Sequence, residues 1–463
     1  MAAPKRTLAP AIAIALLTFL SGFAENSLAV PSFARQTGLA CQACHTVFPE
    51  LTPFGRSFKL NAYTIDNLPQ VQGMTSTKEM ELLLNQIPPL SFMFQTSYTQ
   101  TKAAVPDSAV SGATAQNGQV LFPQQASLFY AGRIAQNLGS FVQITYDSAS
   151  GSFALDNSEI RYAKQLTGGN DRLTYGFTLN NNPTVQDVWN STPAWQTPFD
   201  QKTNTAPTPG AVTQIDGVLG TQVAGLTGYV WWMNSIYAEY GLYRASPQGT
   251  GASAGPLDSA VNTGGLVNGW APYWRLAYER QWNRNSLSVG AYGMSVKISP
   301  GGQPVGPPVD KFDDTALDGQ YQFIGDEHIF SVQTTYIKEK QTLDATFGAG
   351  LSENPSNDLK TFRLGGSYYY QRTYGGALGY FSTTGSSDAI LYSSTLAVTG
   401  FANNSPNSNG WVGELDYVPY QNVKVLLQYV TYGKFNGASS NYDGNGRNAS
   451  DNNTLYLLGW FAF

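Results

Sequence analysis

From about residue 88 to Phe463 the chain keeps one pattern: apolar and polar residues alternate for about ten positions, and a turn follows. In KVLLQYVTYGKF, Val423, Val425, Leu427 and Tyr429 share one face, while Lys424, Gln428 and Tyr432 fall on the other. WVGELDYVP sets Trp411, Leu415 and Tyr417 against Glu414 and Asp416; PYWRLAYERQW sets Trp274, Leu276 and Tyr278 against Arg275 and Glu279. Successive strand side chains point to opposite faces, so each run has one apolar and one charged face. In a soluble sandwich the charged face looks out to water; in a membrane barrel it looks into a wet lumen and the apolar face meets lipid.

The connections decide between these. Short turns fall at 136–140, 166–171, 233–235, 282–285, 324–328, 371–375 and 418–422. Between them lie longer Gly/Ser/Asn/Pro-rich stretches near 102–124, 181–220, 244–270, 299–311, 340–358, 385–407 and 436–452, and a tighter one near 149–153. Strict alternation of short and long connections is the asymmetry of an outer-membrane barrel, and the runs between them number about 16. The last run, NNTLYLLGWFAF, carries Leu455, Leu457 and Phe461 on one face and ends on Phe463. This terminal aromatic resembles the assembly signal of bacterial outer-membrane proteins. A sheet in lipid has to close, because open edges find no hydrogen-bond partners there. The expected class is all-β: a transmembrane antiparallel β-barrel over 88–463.

Composition agrees. Charged residues make up only 12 %, yet after residue 30 no apolar run is long enough for a spanning helix. Aromatics reach 13 %, with 27 Tyr and 47 Gly, and a net charge of −5 gives no support for a nucleic-acid partner. Residues 1–29 have the order of a secretory signal peptide: Lys5 and Arg6, an apolar run from Leu8 to Leu20, then small residues with Ala24 or Ala29 at the cleavage point.

Between leader and barrel, TGLACQACHTVFPELTPFGRSFKLNAY holds both cysteines and one of the two histidines. Cys41-x-x-Cys44-His45 is the spacing of c-type haem attachment, in which two thiols add to the vinyl groups and the adjacent histidine ligates iron. A structural disulfide or a thiol-redox pair also uses Cys-x-x-Cys, but neither needs the histidine, and no thioredoxin-like βαβ pattern surrounds it. Residues 30–87 are therefore expected to form a small helical monohaem cytochrome c segment, too short to sustain a core without the haem. Phe48, Leu51, Phe54, Phe58 and Leu60 are candidate haem neighbours, and TPFGRSFKLNAY reads as a second short helix or turn over one face. Arg56 and Lys59 are candidates for the propionates, with solvated surface charge as the alternative.

The distal iron ligand has several candidates. Met74 and Met80 lie between the segment and the barrel, and His328 lies in a predicted short turn. Met93 is favoured, because Phe92, Phe94 and Tyr98 should face lipid and leave it pointing inward with Ser91, Gln95 and Ser97. Predicted lumen residues Asp147, Glu159, Glu239, Glu279, Glu414 and Asp416 would attract cations or simply pair with Arg161, Arg275 and Arg363. Asp107, Asp187, Asp200 and Asp216 are expected in outer loops.

The order of leader, ARQTGLACQACHTVFPELTPFGRSFKLNAYT and a barrel with NNNPTVQDVWNSTPAWQTPF in a long loop resembles the fused outer-membrane cytochrome–porins of iron-oxidising bacteria, the monohaem iron oxidase family. The resemblance is sharpest over residues 34–64. It implies one covalent haem c in or below the barrel mouth, on Cys41, Cys44 and His45. It also implies oxidation of extracellular Fe(II) and delivery of electrons to a periplasmic cytochrome c or cupredoxin. The distal ligand does not follow from it. The alternatives are a diffusion porin with a structural or sensory haem, and electron exchange with a different external donor.

Overall fold

The structure is a computed structural model describing residues 31–65, 70–72, 83–106, 117–148, 151–168, 171–189, 191, 206–246, 265–301 and 306–463. The leader, Met74, Met80, Asp107 and Asp200 lie outside these residues.

Sixteen long strands form the barrel wall. They are β1 (Leu90–Thr101), β2 (Gln119–Ala135), β3 (Leu138–Asp147), β4 (Ser152–Gly168), β5 (Asp171–Asn180), β6 (Val223–Trp232), β7 (Ile236–Ala245) and β8 (Ala271–Trp282). There follow β9 (Asn285–Ser299), β10 (Asp310–Ile324), β11 (His328–Thr342), β12 (Ser356–Tyr370), β13 (Tyr374–Gly385), β14 (Ser408–Tyr420), β15 (Val423–Lys434) and β16 (Thr454–Ala462). Each pairs antiparallel with its chain neighbours, and β16 closes on β1 with Phe461 opposite Phe94 and Tyr456 opposite Thr99. Closure removes both edges, as a sheet in lipid requires.

Side-chain alternation sorts the wall as the sequence predicts. On β1, Ser91, Met93, Gln95, Ser97 and Thr99 are buried inward, and the residues between them face out. Large apolar side chains are exposed around mid-strand, among them Leu276, Leu317, Leu364, Leu378 and Leu415. Trp232, Trp282, Tyr370 and Tyr374 are exposed at the strand ends beside the short turns. An apolar band rimmed by aromatics is the outer surface of a membrane barrel. The short turns bend tightly through left-handed backbone at Asn137, Asn283, the Met233–Asn234 pair and the Gln371–Arg372 pair. Positive φ at hairpin loops matches the twist of the flanking strands.

The amino-terminal segment does not stand beside the barrel; it sits inside the mouth at the short-turn end. It comprises α1 (Pro31–Thr37), α2 (Cys41–Cys44) and α3 (Pro53–Leu60). Ser32 Oγ and Gln36 Nε2 donate to the Ala131 carbonyl of β2 at 2.8 and 2.9 Å, and the Cys41 amide donates to Gln421 Oε1 in the β14–β15 turn at 3.1 Å. Gly139 of β3 lets the plug seat directly on the wall: a Cβ there would lie 2.0 Å from the Ala62 carbonyl oxygen. From the other end, the stretch that follows β5 folds inward, and residues 181–189 are buried in the lumen.

Candidate functional site: the motif turn and its lumen cavity

Cys41 and Cys44 lie on the single turn of α2 and are not joined to each other. His45 follows in extended backbone, its amide donating to the Cys41 carbonyl at 2.9 Å. The chain then doubles back. Thr52 donates from its amide to the Cys44 carbonyl at 2.9 Å and from its hydroxyl to the Ala43 carbonyl at 2.6 Å. The same hydroxyl accepts from the Gly55 amide at 3.1 Å and caps α3, with Pro53 as the first helical residue. A Cβ on Gly55 would fall 2.1 Å from the Cys44 carbonyl oxygen, so glycine is what allows α3 to cross the motif turn this closely.

The turn faces a cavity of about 1250 Å³, open mouth included. Phe33, Leu39, Phe48, Leu51 and Phe58 of the plug, Phe129 and Phe141 of the wall, and Val185, Val188 and Trp189 of the infolded loop make its sides largely apolar. Cys41, Cys44 and His45 all border it. The His45 ring is half-buried, and its Nδ1 makes no hydrogen bond of normal geometry. Burial pushes its pKa down to about 4, against the pull of the nearby Pro49 and Glu50 carbonyls, so the imidazole is neutral and fit to ligate a metal. Burial pushes the Cys44 thiol up to about 11, with Cys41 beside it adding to the effect. Thiols that work by exchange have depressed pKa values, so this environment opposes a redox pair.

Of the candidate haem neighbours, Phe48, Leu51 and Phe58 border the cavity; Phe54 and Leu60 do not. Phe54 is 45 % exposed, and Leu60 belongs to a buried cluster with Val188, Trp189, Tyr229 and Tyr237. Arg56 is not free to meet an anionic group. Its Nε and Nη2 donate to the two Glu279 oxygens at 2.9 Å each, and its Nη1 donates to Gln322 Oε1 at 2.9 Å and the Leu51 carbonyl at 2.8 Å. Lys59 does border the cavity, with its ammonium on the Val185 carbonyl and 3.3 Å from Glu159.

Met93 points inward as predicted, but it is not on the cavity wall. It is packed among Phe129, Trp460, Phe48 and Phe141, and its sulfur lies 3.9 Å from Gln95 Nε2. His328 stands at the start of β11 on the outward face, stacked on Tyr368 and tilted against Tyr370, with Nδ1 2.8 Å from the Tyr368 hydroxyl. Among the described residues, the cavity wall holds neither a methionine nor a second histidine.

Of the predicted lumen charges, Glu159, Glu279, Glu414, Asp416, Arg161, Arg275 and Arg363 are in ion pairs, and Glu239 is hydrogen-bonded. Glu159 meets Arg161 at 2.9 Å, Lys424 meets Glu414 at 3.0 Å and Asp416 at 3.2 Å, and Arg275 meets Asp318 at 2.6 Å. Glu239 accepts from Thr227 and Tyr237, and Arg363 pairs with Asp216. Asp187 and Asp216 are thus corrected: neither is a solvated outer-loop acid. Asp187 is buried in the lumen, accepting from the Trp189 amide at 2.9 Å and the Ser191 amide at 2.7 Å. A free carboxylate costs too much in such surroundings, so loop acids that enter the lumen take on amides and arginines. The functional residue the sequence reading missed is Trp189. Its indole donates to Glu279 Oε2 at 3.0 Å under the Arg275 guanidinium, 4.8 Å from the ring centroid. Val185, Val188 and Trp189 in an otherwise polar loop were the available signal.

No family model and no curated protein matches the chain. Among solved structures, several outer-membrane proteins match at low identity. DcaP, an outer membrane channel of Acinetobacter baumannii, is 10 % identical over 81 % of this chain and 96 % of its own, with a TM-score of 0.44. OmpF of Salmonella typhi, solved with daunomycin, is 12 % identical over 81 % and 97 %, with a TM-score of 0.42. The anion-selective porin from Comamonas acidovorans is 13 % identical over 81 % and 98 %, also at 0.42.

Proposed function

We propose that this protein is a fused cytochrome–porin of the bacterial outer membrane, which oxidises extracellular Fe(II) and hands the electrons to a soluble periplasmic carrier. The observation that carries the reading is the Cys41-x-x-Cys44-His45 turn facing a largely apolar cavity inside a closed barrel. Cys41 and Cys44 would hold one haem c through thioethers, and His45 would ligate its iron. One-electron chemistry at the iron is what haem supplies when bound.

The chain's own residues supply position and exclusion. Arg56 locks the plug to the wall through Glu279, and Trp189, on the same carboxylate, closes the cavity from the long-loop side. Phe48, Phe58, Phe129 and Phe141 keep its sides dry. The membrane's apolar band is ~25 Å thick, an insulating distance that a redox centre inside the lumen divides. Plug and loop occupy part of the lumen, whereas sixteen strands by themselves leave an aqueous channel, and this favours electron transfer over free diffusion.

The test is to make the protein in a host that matures c-type haem and mix the oxidised form anaerobically with Fe(II), following the haem α-band by stopped flow. Rapid reduction is expected. No reduction by Fe(II), with dithionite still effective, would move the donor elsewhere. Absence of covalent haem would end the cytochrome reading.

A further inference from the structure

The short-turn mouth differs in sign from the chain as a whole. Arg35 on α1 is exposed and donates to the Leu90 carbonyl. Arg133 at the end of β2 donates to the Ala135 carbonyl at 3.3 Å. Arg372, in the β12–β13 turn, donates to the His45 and Thr46 carbonyls at 3.3 and 3.4 Å. All three guanidiniums rest on neutral carbonyls, which orient a cation without cancelling its charge. Arg172 and Arg284 stand on the same rim. Among the described side chains in its turns, the acids are Asp326, which meets Arg284 at 2.5 Å, and Glu327. This basic mouth belongs to a chain of net charge −5.

The same rim leads to the motif. A second cavity of about 580 Å³ is lined by Cys41, Gln42, His45, Arg372, Gln421 and Asn422, the last three from the short turns. The three arginines are not placed for lipid. Arg35 belongs to the plug, Arg372 reaches in to it, and Arg133 shares the inward face of β2 with Ser127, Phe129 and Ala131. Lys164 and Arg280 are exposed on the opposite, outward parity and are the ones set at the membrane surface.

We infer that this mouth is the docking surface for an acidic soluble electron-carrier protein, which takes electrons from the centre on Cys41, Cys44 and His45 through the rim around Arg372. The inference rests on the proposed cytochrome function and adds the place and charge of its partner. The reduced centre loses one electron and the carrier gains it; no bond is made or broken. A charged rim suits a transient, salt-sensitive complex of the kind redox partners form, with encounter hastened by complementary charge.

The experiment uses the reduced holoprotein in neutral detergent micelles. Its reoxidation by anionic hexacyanoferrate(III) and by a cationic tris(phenanthroline)cobalt(III) complex is timed across ionic strength, with poly-L-glutamate or poly-L-lysine as competitor. The variants are a triple Arg35→Gln, Arg133→Gln, Arg372→Gln and its Arg→Lys counterpart. Steering by a charged mouth changes rates by ~10–10³-fold. Expected are a faster anionic reaction at low salt, inhibition by poly-L-glutamate alone, and loss of about 10-fold or more in the Gln triple with recovery in the Lys triple. Equal anionic rates in wild type and Gln triple, a faster cationic reaction, or inhibition by poly-L-lysine alone would overturn the docking surface. Absence of a covalent haem band in the wild type would overturn the cytochrome reading beneath it, whereas a haem-bearing protein with charge-blind reoxidation overturns only the docking surface.

Discussion

Gly55 and Glu50 carry consequences that belong to single side chains. A methyl at Gly55 collides with the Cys44 carbonyl, which is backbone and cannot swing aside. Gly55→Ala should therefore shift α3 off the motif turn at a cost of about 1–3 kcal/mol, the usual size of overpacking. The haem-stained band should fall while the heat-dependent gel shift of the folded barrel persists; an unchanged band would mean the turn tolerates the displacement. Glu50 is buried, with its oxygens accepting from the Thr46 and Ser367 hydroxyls at 2.8 and 3.0 Å. Burial raises its pKa above 4.5, against the hydrogen bonds from Thr46 and Ser367, the nearby Ser331 hydroxyl and the charge of Lys424. A carboxyl that ionises less readily when folded penalises the folded plug at pH above its raised value, and the penalty is gone below 4.5. The plug should thus seat more firmly as pH falls. Glu50→Gln should protect plug amides more strongly at neutral pH and flatten this dependence, which hydrogen exchange over residues 31–65 reads directly.

Two elements that never touch in sequence share one carboxylate: α3 through Arg56 and the infolded loop through Trp189, both on Glu279 of β8. Removing one partner of a buried ion pair costs ~3–5 kcal/mol, because the other charge is left without compensation. Arg56→Ala should loosen plug and loop together, and planar-bilayer conductance should rise above a nearly closed wild type. Equal conductance would assign the seal to the remaining plug contacts, such as the Tyr229 hydroxyl on the Leu60 carbonyl at 2.6 Å. The sequence left this segment as a helix or a turn; the structure makes it a helix, capped by Thr52 with Pro53 first. What Arg56 binds was not legible: its carboxylate lies 223 positions away and is selected by barrel closure.

For the molecule as a whole, the lipid-facing band makes the sharpest prediction. Leu276, mid-strand on β8 and 56 % exposed, faces out, while its neighbours Arg275 and Ala277 face in. A lysine on the lipid face near the bilayer midplane costs ~2–4 kcal/mol. Leu276→Lys should lower stability by about that amount in urea titrations of vesicle-inserted protein. Insensitivity there would place the band elsewhere.

The sequence by itself determined the barrel, because strand alternation and turn chemistry are local and are repeated in every hairpin. Val423 and Lys424 declare their faces without reference to any other strand, and Asn137 and Asn283 accept the turn backbone on their own. It also determined the motif turn, whose chemistry needs only adjacent residues. Only the tertiary structure decided where that turn sits. Plug inside the lumen, loop 181–189 folded over it, Asp187 buried and Met93 behind a wall of aromatics all depend on residues distant in the chain. Their positions follow from the space a closed barrel encloses, and one-dimensional spacing does not encode that space.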